Sequence, residues 1–483
     1  MVVPRSILSR RLLPASIAIF TTVAIVAFEG LAVTAALPDL TADLGEVRLL
    51  PWVITAFLLA SGVTTAISGS FIDSLGTSTV FRWATIGFAA SSLAAAAATS
   101  MPILVAARVL QGASGGAIVS VGVAAVALVY PGHLMGRAYA ANSNVWGVLG
   151  FAGPAVAALL LQIGSWRWIF LLMVPICVVA LIAGWRTLPG PVEPTPLVVD
   201  WIAVGLLTVT LGGLLATLSD LAPTSWVLGL VTLVSGGLLW RRIGRPSTLL
   251  DRRFVIDHPY RPLGLAASLT LAATVGISAY LPVYVRGARG ASAAGAAWSV
   301  LWLTLGWTLA ANVAGRITDR VREGSVLRAG ALAGLPAIGA AWTAVAFSAP
   351  LPIVYTAYVA MGMSVGLVTN SALQMVRLAV PDNLAGRATS AHSFMRTLGV
   401  SVGAGLAGGV ILAAVSASVG DISSVKAALA GETTESAGEA MKALGVGFAV
   451  AHGVSLAIMA VAALIAGRLR PSATLSPSPV EGG

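Results

Sequence analysis

Charge is scarce in this sequence. Asp, Glu, Lys and Arg together make up 10% of its 483 residues, and 57% are hydrophobic, whereas a soluble domain carries about 25% charged residues. The deficit excludes an ordinary water-soluble globule and predicts a polytopic membrane protein. Cysteine is rarer still: Cys177 stands alone, which excludes an intrachain disulfide, and within an apolar run it reads as a small buried hydrophobe. Only two lysines occur, Lys426 and Lys442, and neither belongs to a Gly-x-x-x-x-Gly-Lys-Ser/Thr loop, so this chain alone is not expected to be ATP-driven. The metalloprotease pattern His-Glu-x-x-His is missing as well. The chain is expected to be no enzyme and to hold no metal or cofactor. Strict apolar/polar alternation is also absent, which argues against a β-barrel.

What the sequence has instead is apolar runs of about 18 to 25 residues, each long enough to span a bilayer as a helix. Fourteen are predicted, near residues 14–38, 51–71, 79–98, 102–130, 138–162, 168–186, 201–218, 225–240, 262–285, 293–315, 326–347, 350–375, 388–418 and 444–467. The first reads as a true span and not as a cleaved signal peptide. Net charge is +10, and its placement tests the topology. With a cytoplasmic N-terminus, twenty of the 28 basic residues fall on the cytoplasmic side, six fall outside, and Arg108 and Arg396 lie within spans. That bias follows the positive-inside rule. A twelve-span count that drops the seventh and eighth together keeps the same bias, so only the apolar lengths favour fourteen. The expected organisation is a six-helix bundle over 1–187, two inserted helices over 188–245, a second six-helix bundle over 246–470 and a disordered tail over 471–483. The basic stretch before Arg261 is expected to be a topology anchor facing anionic lipid. The segment 419–443 is expected to be a polar outer loop.

An internal repeat supports two bundles. "GSFIDSLG" (Gly69, Asp73, Gly76) follows the second span, and "GRITDRVREG" (Gly315, Asp319, Arg320) follows the tenth. Each carries Gly-x-x-x-Asp, where the glycine is expected to admit a neighbouring helix and the aspartate to accept hydrogen bonds. Gly112 and Gly116 in the fourth span are echoed by Gly362 and Gly366 in the twelfth. Parallel six-helix repeats are a transporter construction.

Glu29 is the only acidic residue inside any predicted span, and such a residue is a functional hypothesis in itself. Nine residues before Pro38, it lies about 13 Å below the outer end of its helix at 1.5 Å per residue. Arg108 lies about 9 Å below the same surface on that scale, so the two side chains can meet. Burial disfavours a carboxylate's charge and a guanidinium favours it. A carboxyl held between the two can carry a proton; equally, the two can form a fixed ion pair joining helices one and four. His392 precedes Arg396 by one turn on the same helical face. Gln111, Asn142, Asn144, Asn312, Asn370 and Gln374 are candidate cavity polars, with helix–helix hydrogen bonding as the alternative. Trp146 and Trp302 are candidate cavity walls.

With these motifs in view, the chain resembles the major facilitator superfamily, and within it the fourteen-helix drug:proton antiporters. "FEGLAVTAALPDL" is similar to the family's first-helix motif, with Glu29 in place of the usual Asp, followed by Ala36, Leu37 and Pro38. "GSFIDSLGTST" resembles the loop signature, with Ser74, Thr77 and Ser78 replacing its basic residues. "ARVLQGASGGAI" matches the fourth-helix motif through Arg108, Gln111, Gly112 and Gly116. "WGVLGFAGPAVAALL" is similar to the fifth-helix motif of exporters through Gly147, Gly150, Gly153 and Pro154. The resemblance implies an all-α major facilitator fold of two six-helix bundles plus two helices. It also implies proton-driven export of small amphipathic compounds, cationic or neutral, by alternating access. Glu29 and Arg108 would couple protons, and Gln111, Asn142, Trp146, Asn312, Asn370, Gln374, His392 and Arg396 would line the cavity. Alternatives are a lipid or siderophore-like exporter, an importer or facilitator, and a non-transporting scaffold. Expected partners are the substrate, protons and membrane lipids, with no nucleic acid. The expected setting is a monomer in a bacterial inner membrane with both termini cytoplasmic.

Overall fold

A computed structural model describes residues 6–190, 196–197, 199–219, 226–242, 252–317, 323–380, 382–419, 424–430 and 434–469. The described residues form helices and connections and contain no strand. The helices are α1 (Leu13–Leu44), α2 (Leu50–Leu75), α3 (Thr77–Ala96), α4 (Met101–Val129), α5 (Gly132–Ile163), α6 (Arg167–Gly184), α7 (Trp201–Ser219), α8 (Trp226–Arg242) and α9 (Arg253–Ile256). They continue as α10 (Tyr260–Ser278), α11 (Leu281–Gly287), α12 (Ala293–Ser299), α13 (Leu301–Ile317), α14 (Glu323–Ala346), α15 (Leu351–Leu378), α16 (Asp382–Ser418), α17 (Ser424–Ala430) and α18 (Glu435–Arg468). Among the described residues, eleven helical stretches are long and apolar enough to cross a membrane. α3, α5 and α8 occupy three further predicted spans without meeting that measure. α3 is diluted by serine and threonine, α5 by a polar first half, and α8 is short.

Three local expectations are corrected. α1 does not end at Pro38 but runs through it to Leu44. Neighbouring helices allow a proline inside a membrane helix; the stop is Gly45, whose φ of 72° suits glycine. Glu29 therefore stands seventeenth in a helix of 32 residues, at its midpoint and not in its outer part. The ninth and tenth predicted spans are each broken in two, at Ala279–Tyr280 and at Val300. The expected outer loop 419–443 contains α17 and the first turns of α18, and Val425, Ala428 and Leu429 are buried. The tail 471–483 lies outside the described residues.

α1, α3, α4, α5 and α6 pack on one another, with α2 held against α4, and α10, α13, α14, α15, α16 and α18 form a second packed set. The two sets repeat the same crossing. A Cβ on Gly112 or Gly116 of α4 would fall on the backbone of Phe57 or Ser61 of α2. In the second set, a Cβ on Gly362 of α15 would fall on the backbone of Leu303 of α13. Phe57 precedes Asp73 by sixteen residues and Leu303 precedes Asp319 by sixteen, so the crossing recurs in register. Lipid tails are as apolar as leucine, so membrane helices associate through such close contacts. The loop motif behaves otherwise: Gly69 faces open space and Asp73 is exposed. Among the described residues, none makes the expected close approach at Gly69.

α7 lies against α2 and α16, one helix from each set, and α8 lies on α7. Val63, Ala203, Leu207, Leu211 and Leu239 form the small core there. The sets also meet where Gly147 and Gly150 of α5 face Thr308 and Thr304 of α13. At the face away from the N-terminus, Arg286 of α11 donates to Asp39 of α1 at 2.5 Å, and α17 packs on α1.

Two tests follow from this packing. Gly112→Ala puts a methyl on backbone that cannot yield and should cost about 1–3 kcal/mol, read as a lower thermal midpoint in detergent; Gly69→Ala, with open space, should leave that midpoint unchanged. The partly exposed Asp39–Arg286 pair contributes about 0–1 kcal/mol. Asp39→Asn should therefore speed maleimide labelling of a Val283→Cys probe up to about five-fold in a Cys177→Ser background, and Asp39→Arg with Arg286→Asp should restore the slower rate.

Candidate functional site

The site grows out of the α2–α4 crossing. With Gly112 seated on Phe57, the residue one turn earlier on α4, Arg108, is brought against α2. Its Nε donates to the Val53 carbonyl at 2.9 Å, and its guanidinium carbon sits 4.3 Å from the centre of the Phe57 ring. Nη1 uses both of its hydrogens. One goes to Glu29 Oε1 in a salt bridge, the other to Gln111 Oε1 at 2.6 Å. Gln111 Nε2 in turn donates to Ser92 Oγ of α3 at 2.8 Å. One hydrogen-bonded network thus ties α1, α2, α3 and α4 together.

Glu29 is 1% and Arg108 2% exposed, so the pair is sealed in this conformation. The carboxylate is only half satisfied, however. Its Oε2 is buried and has no hydrogen-bond partner among the described residues, which costs on the order of 1–3 kcal/mol for an ordinary polar atom. The adjacent Gly30 is exposed and has open space where a Cβ would project. The arrangement offers one oxygen locked to a guanidinium and a second that can accept a proton, a water or a ligand donor once the helices part.

The other expected residues are distributed around this centre. Gln111 belongs to the Arg108 network and is fully buried. Asn370 donates to the Gly366 carbonyl of its own helix, and Gln374 and Asn144 are exposed. None of these three joins Glu29. Trp302 stacks on Tyr355. Gly153 lies against Leu31 of α1, and Pro154 is buried within α5. Gly76, with φ of 82°, makes the turn between α2 and α3. His392 is buried on α16 with Arg396 half-buried one turn on. The side chains at Asn142, Trp146, Asn312 and Gly315, and residues Asp319 and Arg320, lie outside the described residues. Ser114 stands in a Gly-x-Ser-x-Gly string, but in the interior of α4 and not on the strand-to-helix turn that exposes a nucleophile.

Val53, Phe57 and Ser92 are participants that sequence reasoning does not find. Their contributions are a backbone carbonyl, a ring face and a hydroxyl, none of which stands out in an apolar helix.

The model of the Major Facilitator Superfamily matches residues 17–404. The chain is 28% identical over 389 residues to the uncharacterized transporter YebQ of Escherichia coli (strain K12), covering 78% of this chain and 84% of that protein. It is 29% identical over 427 residues to the probable multidrug-efflux transporter Rv1634 of Mycobacterium tuberculosis (strain ATCC 25618 / H37Rv), covering 84% and 89%. Among solved structures, a D-xylose–proton symporter superposes with a TM-score of 0.66 at 13% identity, covering 96% of this chain and 99% of the other, which shows a shared fold. A family match over most of the chain, on a fold of two packed helical sets, makes this protein a member of the major facilitator superfamily.

Proposed function

We infer that this transporter exports small amphipathic molecules in exchange for protons, with Glu29 as the coupling carboxyl. The observation that carries the reading is the half-satisfied carboxylate at the midpoint of α1, with one oxygen on Arg108 and the other buried without a partner. Protonating Glu29 would remove the charge that Arg108 balances and weaken the tie between α1 and α4. A substrate or proton that favours one arrangement of the helices shifts the equilibrium by its differential affinity. Relatives named as multidrug transporters support export of this kind.

The finer topology belongs to the same proposal. All fourteen helices or broken helix pairs would cross the bilayer, with both termini on the cytoplasmic side of a bacterial inner membrane. The Asp39–Arg286 face would then be the outer one. The bundles would extend over 1–187 and 246–470, with α7 and α8 as an insert over 188–245. The α5 glycines that face Thr304 and Thr308 mark a seam on which the two bundles can rock. The working unit would be a monomer that needs no cofactor beyond the proton gradient.

In proteoliposomes with an imposed pH gradient, Glu29→Gln should abolish gradient-driven export while still inserting and running as a folded species. Export that continues at the wild-type rate would rule out coupling through Glu29 and leave the fixed ion pair. At the seam, Gly150→Leu should slow transport about ten-fold or more, since Thr304 Cγ2 stands 2.5 Å from where its Cβ would project and overpacking of this kind displaces a packed helix. Equilibrium binding of a transported dye by that variant should stay within about two-fold of wild type, because the clash acts on the crossing.

A further inference from the structure

Charges at membrane depth do not balance in the second half. Of the two arginines placed well away from the ends of the predicted spans, Arg108 is matched by Glu29. Arg396 is not matched. It makes no hydrogen bond or ion pair among the described residues, and its Nε is buried without a partner. One turn earlier on the same face of α16, His392 is 2% exposed, and its Nε2 is also buried and unpartnered. The depth is set by packing: the next residue, Thr397, lies 3.6 Å from where a Cβ on Gly62 would project, and Gly62 is at the middle of α2.

The other flanks of α16 are accounted for. Met395 packs on Gly264, and its carbonyl accepts from Ser268 of α10. Phe394 and Leu398 line an apolar cleft with α2 and α7. His392 and Arg396 occupy a flank with unused donors. An unpaired guanidinium held against hydrocarbon costs several kcal/mol, so membrane proteins keep such groups toward the interior, where water or a ligand meets them.

We propose that His392 and Arg396 form the recognition site for an anionic group of the transported molecule, so that the substrate class is amphipathic organic anions. This deepens the export reading above and rests on it, and it replaces the cationic or neutral substrates expected from family resemblance. The chemistry suits a carboxylate. A guanidinium presents two parallel N–H groups to its two oxygens, and the imidazole supplies a further donor one turn away. The carboxylate would also provide the counter-charge that the protein withholds from Arg396.

The test is equilibrium binding to the purified full-length protein in nanodiscs of neutral phosphatidylcholine, with no pH gradient. The probes are naphthalene-2-carboxylate, its neutral carboxamide, and 2-naphthylmethylammonium. The carboxylate should bind about ten-fold tighter than either analogue, the scale of a charge-assisted hydrogen-bonded pair. Arg396→Gln should erase that preference, Arg396→Lys should keep part of it, and His392→Asn should weaken it several-fold. Equal affinities for the three probes in the wild type overturn the proposal, as does a preference that survives Arg396→Gln. Should Arg396→Gln fail to fold, the wild-type ratio and its reduction in Arg396→Lys decide. Because no gradient is applied, failure of coupling through Glu29 leaves this ratio standing. Gradient-driven export of the ammonium probe without carboxylate preference would sink the anion site and leave the export reading intact.

Discussion

The structure depends on how closely α4 lies on α2. In a bilayer, apolar side chains gain little by meeting each other instead of lipid, so helices are held by contacts that only small residues allow. At Gly112 and Gly116 the α4 backbone rests on α2 with no room for a methyl group. This contact also places chemistry. Arg108 can reach the Val53 carbonyl and the Phe57 ring because α4 lies so near, and from there its remaining donors point to Glu29 and Gln111. A steric fact about two glycines thereby becomes an electrostatic fact about a carboxylate.

The electrostatic term is large enough to govern motion. Removing one partner of a buried ion pair leaves an uncompensated charge and costs about 3–5 kcal/mol, more than a single exposed contact can supply. Glu29 and Arg108 therefore stay together while both are charged and dry. They can separate without that cost if water enters or if the carboxyl takes a proton. Because the same network reaches Ser92 through Gln111, a change of charge at α1 is felt by four helices at once. By contrast, the Asp39–Arg286 pair is partly exposed and joins α1 to α11 of the second set. It is a weak latch, suited to opening and closing.

Much of this was legible in the sequence, and the reasons for the rest are physical. Apolar length located every long helix, because a helix in lipid must bury its own backbone polarity. The Glu29–Arg108 meeting followed from depth, which is a one-dimensional quantity. Lateral neighbours do not follow from depth, so Val53, Phe57 and Ser92 were invisible and the bond from Arg108 to Gln111 was not foreseen. Pro38 misled because a proline's stop signal weakens when adjacent helices support the chain. α17 was hidden in a polar stretch whose few apolar residues, Val425, Ala428 and Leu429, are the ones buried. Gly69 showed the limit of motif reading. The glycine persists, yet no described residue comes close to it.

The two halves share a crossing but not a charge. Arg108 stands four residues before Gly112, and Tyr358 stands four before Gly362. At the place where the first set holds a guanidinium and a carboxylate, the second holds a tyrosine hydroxyl 3.1 Å from His452 Nε2. Phe448 and Tyr284 stack alongside them. That cluster pairs its polar atoms internally, since His452 Nδ1 also meets the Phe448 carbonyl at 2.8 Å. Both imidazole nitrogens of His452 are thereby engaged. Among the described residues, the buried polar atoms of the second set without a partner include His392 Nε2 and Arg396 Nε on α16, the helix that contacts α2 of the first set. Two similar scaffolds thus differ in what they hold: an ion pair inside one, and near the seam of the other a guanidinium and an imidazole whose Nε and Nε2 have no partner among the described residues. The proton-coupled export proposed above would use that asymmetry, with Glu29 taking the proton in one half and Arg396 being balanced by cargo in the other.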